Sequence, residues 1–533
     1  MSYFKVTRCE SIKGGELMDV TEIQRVLQEF YDKELTDGRK RHIVFWYDEA
    51  GDFIEDIETI QLEGVRIWKL TENNLFRTKY ELEKQDSHSN FLLYANMPKP
   101  LPQHDWLHDQ YKLGQEFTTD KITIIMRELD ITDDSLKEVF KGYQKFFNNK
   151  SRLQAFRKYP IQMYTEETID ITVLAALVKS NTNTVDDVIK TLLRDENNSN
   201  GKGWHNIQRF GNEEKFWLLL EKFYGYALPE KDLTSLVTFF MMTYLAKQSD
   251  TGVLPEAWQY YVSNQSANVI VLMDQWMNHR EERHIFNSWG KKIADNMEAD
   301  RYTNDWHIEN MQEMDVFPLF DNRVIHFIVN QLTNDVKHFE SYRDLIAIRR
   351  KLHWYPEFEH AYEALRQAIQ LIQQLHELDE FIPEETAERM FSTYTESYFR
   401  IDTAYRKFYV AFDKMEDKEL LHELREMIER SYVQVYQEEL AMKWALTREY
   451  EANRIWPIAG IEQQQDFYKS YVASHIAQEE RIFVIVSDAL RYEIAQELTE
   501  VLNTQQRASA DITAIQGILP SYTEMGMAAL LPH

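Results

Sequence analysis

Hydrophobic positions in the first quarter of the chain switch between helical and strand-like spacing. Apolar residues recur every three or four positions from Ile23 to Phe30, which predicts a helix. A helix-compatible segment at 75–84 lies between the second and third of three apolar runs that predict buried strands. These runs span residues 42–48, 64–70 and 90–96. Alternating strands and helices indicate a parallel sheet, so we predict a doubly wound α/β domain over 18–130.

Helical spacing then dominates from about Asp134 to Tyr450, with few strand signals. This stretch has no fixed-period repeat, so no named solenoid family is predicted. Pro457 lies in a segment that interrupts the helical pattern. We therefore predict an irregular helical domain over 131–455 and a third domain over 456–533.

The third domain carries the pattern of a strand–helix–strand unit. The segment 481–487 is a continuous run rich in β-branched residues, typical of a central parallel strand. A helical pattern follows from Leu490 to Leu502, and a second strand-like region lies at 512–518. The predicted fold class is multidomain, α/β plus α: an amino-terminal α/β domain, a helical middle domain and the first part of a further α/β domain.

Composition and charge narrow the functional classes. Hydrophobic residues make up 44% of the 533 positions, and Gly and Pro are scarce, so we expect a folded, mostly helical protein. The net charge of −28 opposes long-range attraction to nucleic acid or anionic lipid, so any nucleic-acid contact must be local. No apolar run reaches the roughly 18 residues that span a bilayer. Cys9 is the single cysteine and agrees with a reducing compartment, so we predict a cytoplasmic protein without membrane association.

The first residues carry a separate signal. Lys13, Gly14, Gly15 and Glu16 precede Met18, and their codons could spell a ribosome-binding site. We expect the natural start at Met18 and treat residues 1–17 as a non-native leader without function.

Asp488 is the first residue with candidate chemistry. It follows the predicted strand at 481–487, at the strand end where open α/β sheets bind ligands. A carboxylate there suits a divalent cation. Alternatively, Asp488 caps the following helix, and its position alone does not decide between the two roles.

The second candidate is the segment around Thr523. Ser521 and Glu524 have the spacing of a capping box, with Ser521 as the N-cap of a helix. The functional interpretation places the Thr523 hydroxyl at the helix amino terminus, where N–H groups and the helix dipole favour phosphate. A metal-bound threonine alkoxide could attack that phosphate. The two interpretations are compatible.

Together, FVIVSDALRYE and LPSYTEMGMAALLPH resemble the opening of the PglZ domain, a branch of the alkaline-phosphatase superfamily. The amino-terminal segment IVFWYDEAGDF and the helical middle share a looser resemblance. The resemblance implies a metal-dependent phosphoesterase of BREX phage-defence systems, with Asp488 as a ligand of a divalent metal, zinc, and Thr523 as the metal-bound nucleophile. Ser521 ranks below Thr523 because the family's nucleophile aligns with the second hydroxyl residue of this phrase.

In the family, the remaining Asp and His ligands follow this region. We therefore expect this chain alone to be inactive and its metal to be absent or weakly bound, since zinc sites use about three or four ligands. His533 is not expected to be a ligand.

Two other functions stay open. The chain could be a non-catalytic scaffold of the defence complex, and the resemblance implies other BREX proteins, such as BrxB and PglX, as partners. It could also be a nuclease with a metal site at Asp48, Asp105 and Asp109, although capping aspartates are common in such loops. No Walker-type phosphate loop or dinucleotide fingerprint is present.

Overall fold

The computed structural model describes most of the chain. The described residues are 18–35, 40–49, 51, 53–54, 56–117, 121–198, 201–249, 254–378, 386–450, 456–505 and 508–532. The predicted leader 1–17, Cys9 and His533 lie outside this part of the chain. Contacts between Cα positions divide the protein into two compact units, one ending at Lys222 and the next beginning at Phe223. The boundaries predicted near residues 130 and 455 stay predictions.

A four-stranded, fully parallel sheet lies in the first unit. Its strands are β1 (Ile43–Tyr47), β2 (Val65–Leu70), β3 (Asn90–Ala95) and β4 (Gln115–Phe117), in the spatial order β2-β3-β1-β4. Trp46 of β1 aligns with Tyr94 of β3 on one side and Phe117 of β4 on the other. The three predicted strands and their parallel arrangement are confirmed. The short fourth strand was not predicted, because three residues starting with Gln and Glu give no strand signal.

Helices α1 to α11 begin in the first unit. They are α1 (Met18–Tyr31), α2 (Leu75–Tyr80), α3 (His108–Leu113), α4 (Lys121–Glu128), α5 (Lys137–Gly142), α6 (Gln144–Phe147), α7 (Lys150–Arg157), α8 (Glu166–Val178), α9 (Val185–Asn197), α10 (Lys202–Phe210) and α11 (Glu213–Tyr224). A π-helical segment, Glu81–Gln85, continues α2, and short 3₁₀ turns occupy Asp56–Glu58 and Asp134–Leu136.

Both faces of the sheet are covered, and because side chains of a strand alternate between the faces, neighbouring residues enter different cores. On one face, Val44 and Trp46 pack with Ile23 and Leu27 of α1. On the other face, Phe45 belongs to a second buried cluster, which also contains Ile43, Leu75, Leu82, Phe91 and Leu107. Neighbouring residues of β1 therefore contribute to two different cores, which explains why this strand is apolar without interruption.

Helices α12 to α27 form the second unit. They are α12 (Leu233–Gln248), α13 (Glu256–Gln259), α14 (Ser266–Asn278), α15 (Arg283–Asn296), α16 (Ala299–Tyr302), α17 (Ile308–Met311), α18 (Leu319–Thr333), α19 (Phe339–Arg349), α20 (Tyr355–Glu377), α21 (Ala387–Thr393), α22 (Phe399–Asp413), α23 (His422–Arg430), α24 (Glu438–Tyr450), α25 (Ala473–Ala477), α26 (Tyr492–Gln505) and α27 (Thr523–Ala529). Its π-helical segments are Tyr394–Tyr398, Ser431–Gln437 and Tyr468–Val472, and 3₁₀ turns occupy Glu419–Leu421 and Gln464–Asp466. The prediction that helix dominates is confirmed.

One large core of the second unit lies among α18, α20, α22 and α23. It contains fully buried apolar side chains from all four helices: Ile325, Ile328, Leu365, Ile369, Phe408 and Leu424. A buried ion pair lies beside this core. Arg349 of α19 donates from Nε to Asp321 Oδ1 at 3.0 Å, and Tyr362 of α20 donates to the same oxygen at 2.6 Å. The three helices are thus joined by one desolvated carboxylate.

The predicted strand–helix–strand unit is not formed in the described residues. The run Arg481–Ser487 pairs with no described strand, and Phe483 and Ile485 are 80% and 91% exposed. The second predicted strand is reduced to an isolated parallel bridge between Gln463 and Gln516. A strand needs neighbours to satisfy its backbone groups and cover its side chains, and a β-branched run alone does not supply them. The helix predicted between the two is confirmed as α26.

Among the residues that the structure describes, no helix has both the length and the apolar character needed to cross a membrane.

Candidate functional site

Asp488 lies directly after the apolar run, at the start of a sharp turn. Its Oδ1 accepts a hydrogen bond from the backbone N–H of Ala489 at 3.0 Å. Ala489 has a φ of 58°, in the left-handed region, so the chain changes direction there. Because α26 begins only at Tyr492, this bond does not cap the helix. The alternative role of Asp488 as a helix cap is therefore wrong.

Thr523 is the first residue of α27. The N-cap position is taken by Tyr522, and no side chain makes a capping hydrogen bond there. The predicted capping box between Ser521 and Glu524 is therefore not formed. This helix was predicted, but its start lies one residue later than a Ser521 cap requires.

The structure brings the two predicted site residues together. Thr523 Oγ1 donates a hydrogen bond to Asp488 Oδ2 at 3.3 Å, although the residues lie 35 positions apart. Both side chains are exposed. The arrangement places a hydroxyl and a carboxylate side by side on the surface, so both oxygens can approach one bound group.

Two glutamine side chains form hydrogen bonds with segments on either side of Thr523. Gln516 is buried, and its Oε1 accepts from the N–H of Ile458 at 2.8 Å while its Nε2 donates to the carbonyl of Trp456 at 2.7 Å. Gln464 donates to the carbonyl of Gly526 in α27 at 3.0 Å and accepts from the N–H of Ile518 at 3.2 Å. These two amides fix the approach to α27. The sequence did not single them out, because an isolated Gln carries no local signal of its long-range partners.

Helix α26, which follows Asp488, is anchored to α22 by polar and aromatic contacts. Arg406 donates from Nε to Glu493 at 2.9 Å and from Nη2 to Glu497 at 2.6 Å. The ring of Tyr492 packs against Phe399, with centroids 5.6 Å apart. Tyr492 and Glu493 belong to the phrase that carries the family resemblance, and the structure gives both a positioning role that sequence reasoning missed.

Comparison with known proteins identifies this region. Residues 467–533 match the BREX system PglZ alkaline phosphatase-like domain. Across 517 residues, the chain is 50% identical to the alkaline phosphatase-like protein PglZ of Bacillus cereus (strain H3081.97), covering 97% of this chain and 60% of that protein. The chain belongs to the PglZ family.

A second curated relative has a lower sequence identity to this chain. The chain is 29% identical over 517 residues to the alkaline phosphatase-like protein BrxZ of Escherichia coli O9:H4 (strain HS), covering 93% of this chain and 59% of that protein. The chain therefore spans about 60% of the length of these two curated relatives. No solved structure matches it.

The described residues of this PglZ family member supply only part of a metal site. Asp488 and Thr523 offer two oxygen ligands, whereas a zinc site uses about three or four. Within the described part of the chain, no group of three or more His, Cys, Asp or Glu side chains is placed to hold a metal ion. The pair therefore does not fit a complete zinc site by itself.

The three aspartates considered for a nuclease site have other partners. Asp48 is buried and accepts from the N–H of Phe53 at 2.9 Å and from Tyr94 Oη at 2.5 Å. Asp105 accepts from the N–H of Leu107 at 2.9 Å, and Asp109 pairs with Lys79 at 2.9 Å. In the residues described, these aspartates form no metal cluster. Each stabilises a turn or a helix pairing, and none of these contacts favours a nuclease.

Proposed function

We propose that this chain is part of a metal-dependent phosphoesterase that acts in BREX defence against phage. In this proposal, Asp488 is a ligand of a divalent metal, zinc by family resemblance, and Thr523 is the nucleophile. The observation that carries the proposal is the 3.3 Å contact between Thr523 Oγ1 and Asp488 Oδ2. Two family motifs that are distant in sequence meet at this contact. No side chain caps the start of α27, so helix capping does not account for the Thr523 hydroxyl.

The exposed surroundings of the pair also support the proposal. The apolar run Arg481–Ser487 has the composition of a central strand but is largely uncovered. The relatives are longer than this chain, so we propose that further parts of the whole protein cover this run and complete the metal ligands. The chain alone would then hold the metal weakly or not at all and would be inactive.

The test is metal-dependent hydrolysis of bis-p-nitrophenyl phosphate by this chain and by the whole-length protein. Thr523→Val removes the hydroxyl at nearly constant shape, whereas Thr523→Ser retains it. We expect activity in the whole-length protein, partial activity in Thr523→Ser, and loss in Thr523→Val and Asp488→Ala.

Asp511→Ala is a matched control, because Asp511 is an exposed aspartate in the same region. Full activity in this control separates loss of the site from loss of charge. Activity in Thr523→Val, or in the chain alone, would contradict the proposed site.

A second candidate function is that of an interaction scaffold, and an exposed aromatic pair in the first unit favours it. Phe76 of α2 and Trp106 pack edge to face with centroids 5.6 Å apart, yet 66% and 59% of their surfaces are exposed. Aromatic side chains of this kind are enriched at the centres of protein interfaces. We propose that they bind another BREX protein, with BrxB and PglX as the candidates that the family suggests.

A pull-down of purified BrxB and PglX by this chain tests the scaffold. Phe76→Ser combined with Trp106→Ser should abolish retention of the partner. Met163→Ser with Leu218→Ser removes two other exposed apolar side chains and should leave retention intact. If neither protein is retained by the unmutated chain, the scaffold role with these partners fails.

We also propose a cytoplasmic location, which the single cysteine of the sequence favours.

A further inference from the structure

A large cavity lined by both polar and apolar side chains lies in the first unit, between α7, α8 and α10. Its volume is about 920 Å³, within the range of small-molecule and cofactor sites. Three cations line it, namely Arg152, Lys158 and Lys179, and none of the described lining residues is acidic. In a chain with a net charge of −28, such a cavity is a local exception.

Arg152 is held rigidly at this cavity. Its Nε donates to the carbonyl of Phe146 at 3.0 Å, and its Nη2 donates to the carbonyl of Lys145 at 2.6 Å. Its guanidinium carbon lies 3.9 Å from the centroid of the Phe210 ring. These contacts position the guanidinium without neutralising its charge, because carbonyl groups and an aromatic ring carry no net charge.

A second guanidinium increases the positive potential. The guanidinium carbon of Arg209 lies 5.0 Å from the centroid of the same Phe210 ring. The pKa of Arg152 is lowered, first by burial and then by the charge of Arg209. Mutual repulsion of two cations is relieved when an anion binds between or beside them. The local electrostatics therefore favour an anionic ligand.

The remaining lining residues are suited to an organic group attached to that anion. The side-chain amides of Gln154 and Asn181 can donate and accept hydrogen bonds. The hydroxyl of Tyr159 donates to the carbonyls of Ala175 and Ser180, at 3.0 and 2.7 Å, and fixes one wall. Amides of this type read the hydrogen-bonding edges of nucleobases.

We propose that this cavity binds a free nucleotide, with its phosphates on Arg152, Lys158 and Lys179 and its base against the amide side chains. A nucleic-acid strand fits less well, because its other phosphates would meet a strongly acidic protein. The phosphates would be held by side chains rather than by a glycine-rich loop. Binding requires neither Asp488 nor Thr523.

Calorimetric titration of the 533-residue chain tests this proposal, with ATP, inorganic phosphate, adenosine and a ten-nucleotide single-stranded DNA as probes. ATP should bind more tightly than inorganic phosphate or adenosine. Lys158→Gln combined with Lys179→Asn should weaken ATP about tenfold or more, since hydrogen bonds to charged groups are strong. Lys179 has a φ of 62°, which Asn tolerates, and both lysines are exposed, so the fold should persist.

Arg77→Gln combined with Lys84→Gln is the matched control, because it removes two exposed charges elsewhere in the same unit. ATP affinity should change less than about twofold, as expected for distant surface charges. Arg152→Gln should also weaken ATP, with its folding checked by thermal melting. The proposal is overturned if ATP does not bind, if the lysine variant binds it normally, if adenosine binds as well as ATP, or if only the DNA strand binds.

Discussion

Arg406 of α22 donates from Nε to Oε2 of Glu493 in α26 at 2.9 Å, and only 1% of the Glu493 side chain is exposed. This contact joins the helical part of the second unit to the segment that bears the family motifs. Because α26 begins four residues after Asp488, the docking of α26 also limits where Asp488 lies relative to α22. The family phrase thus contains a structural anchor beside its candidate catalytic residue.

We predict that Glu493→Gln lowers the free energy of unfolding by about 1–3 kcal/mol, because the buried acceptor of the Arg406 hydrogen bond loses its negative charge. Urea unfolding followed by circular dichroism measures the change. Glu497→Gln is the control: its side chain is 36% exposed, so we expect a loss below about 1 kcal/mol. Equal effects of the two substitutions would contradict an anchoring role for the buried carboxylate.

Asp321→Ala should destabilise the second unit more strongly, by about 3–5 kcal/mol, since it leaves the fully buried Arg349 without its carboxylate. Tyr362 would lose its acceptor as well. Thermal melting of the variant measures the loss. Glu340→Ala removes one partner of an exposed pair with Arg343, and we expect less than about 1 kcal/mol from it. A small effect of Asp321→Ala would show that water reaches Arg349.

His353 should make the stability depend on pH. Burial, and to a smaller extent the positive charge of Arg283, lowers the pKa of His353 from 6.5 to about 4. The unfolded chain therefore binds a proton at this residue more readily than the folded protein does. The contribution of neutral His353 to the free energy of unfolding is complete above about pH 6.5 and is lost as the pH falls towards 4. The loss over this range amounts to roughly 2–3 kcal/mol.

The His353→Gln variant should show a flatter loss of stability between pH 6.5 and 4 than the unmutated chain. His360→Gln is the control, because His360 is exposed. Urea unfolding at several pH values gives both slopes. An unchanged slope in His353→Gln would mean that other groups cause the acid sensitivity.

The sequence predicted the sheet of the first unit because its signals are local. The aromatic and β-branched run of β1 contributes to a core on each face, so nearly every residue in it is apolar. The strand predicted at 481–487 from the same kind of local signal was wrong. The same apolar character is present there, but pairing depends on neighbouring strands that the described residues do not provide.

The candidate site was found for a different reason. Asp488 and Thr523 stand in motifs shared with a family, and their 3.3 Å contact agrees with the roles inferred from that resemblance. The spacing of residues in the sequence left helix capping as an alternative role for Asp488 and for Ser521. The structure excludes both capping interactions. Gln464 and Gln516 escaped detection because their function depends on contacts with residues 54 to 62 positions away along the chain, which no periodic pattern encodes.

Gln516 is the position where this long-range network can be tested. Its buried amide satisfies the N–H of Ile458 and the carbonyl of Trp456, and Gln463 Nε2 donates to the same Oε1 at 3.0 Å. We predict that Gln516→Ala accelerates hydrogen exchange of the Ile458 amide about tenfold or more, because the lost partner corresponds to roughly 1–3 kcal/mol.

Gln516→Glu should have a similar effect through a different cause. It preserves the acceptor for Ile458 but places an oxygen against the Trp456 carbonyl, where the native Nε2 donates. Gln505→Ala changes an exposed glutamine at the end of α26 and should leave exchange at Ile458 unchanged. Slow exchange at Ile458 in both Gln516 variants would mean that the segment is held by the backbone bridge between Gln463 and Gln516 alone. Fast exchange in both would establish the side-chain amide as the element that holds the approach to α27 and thereby to Thr523.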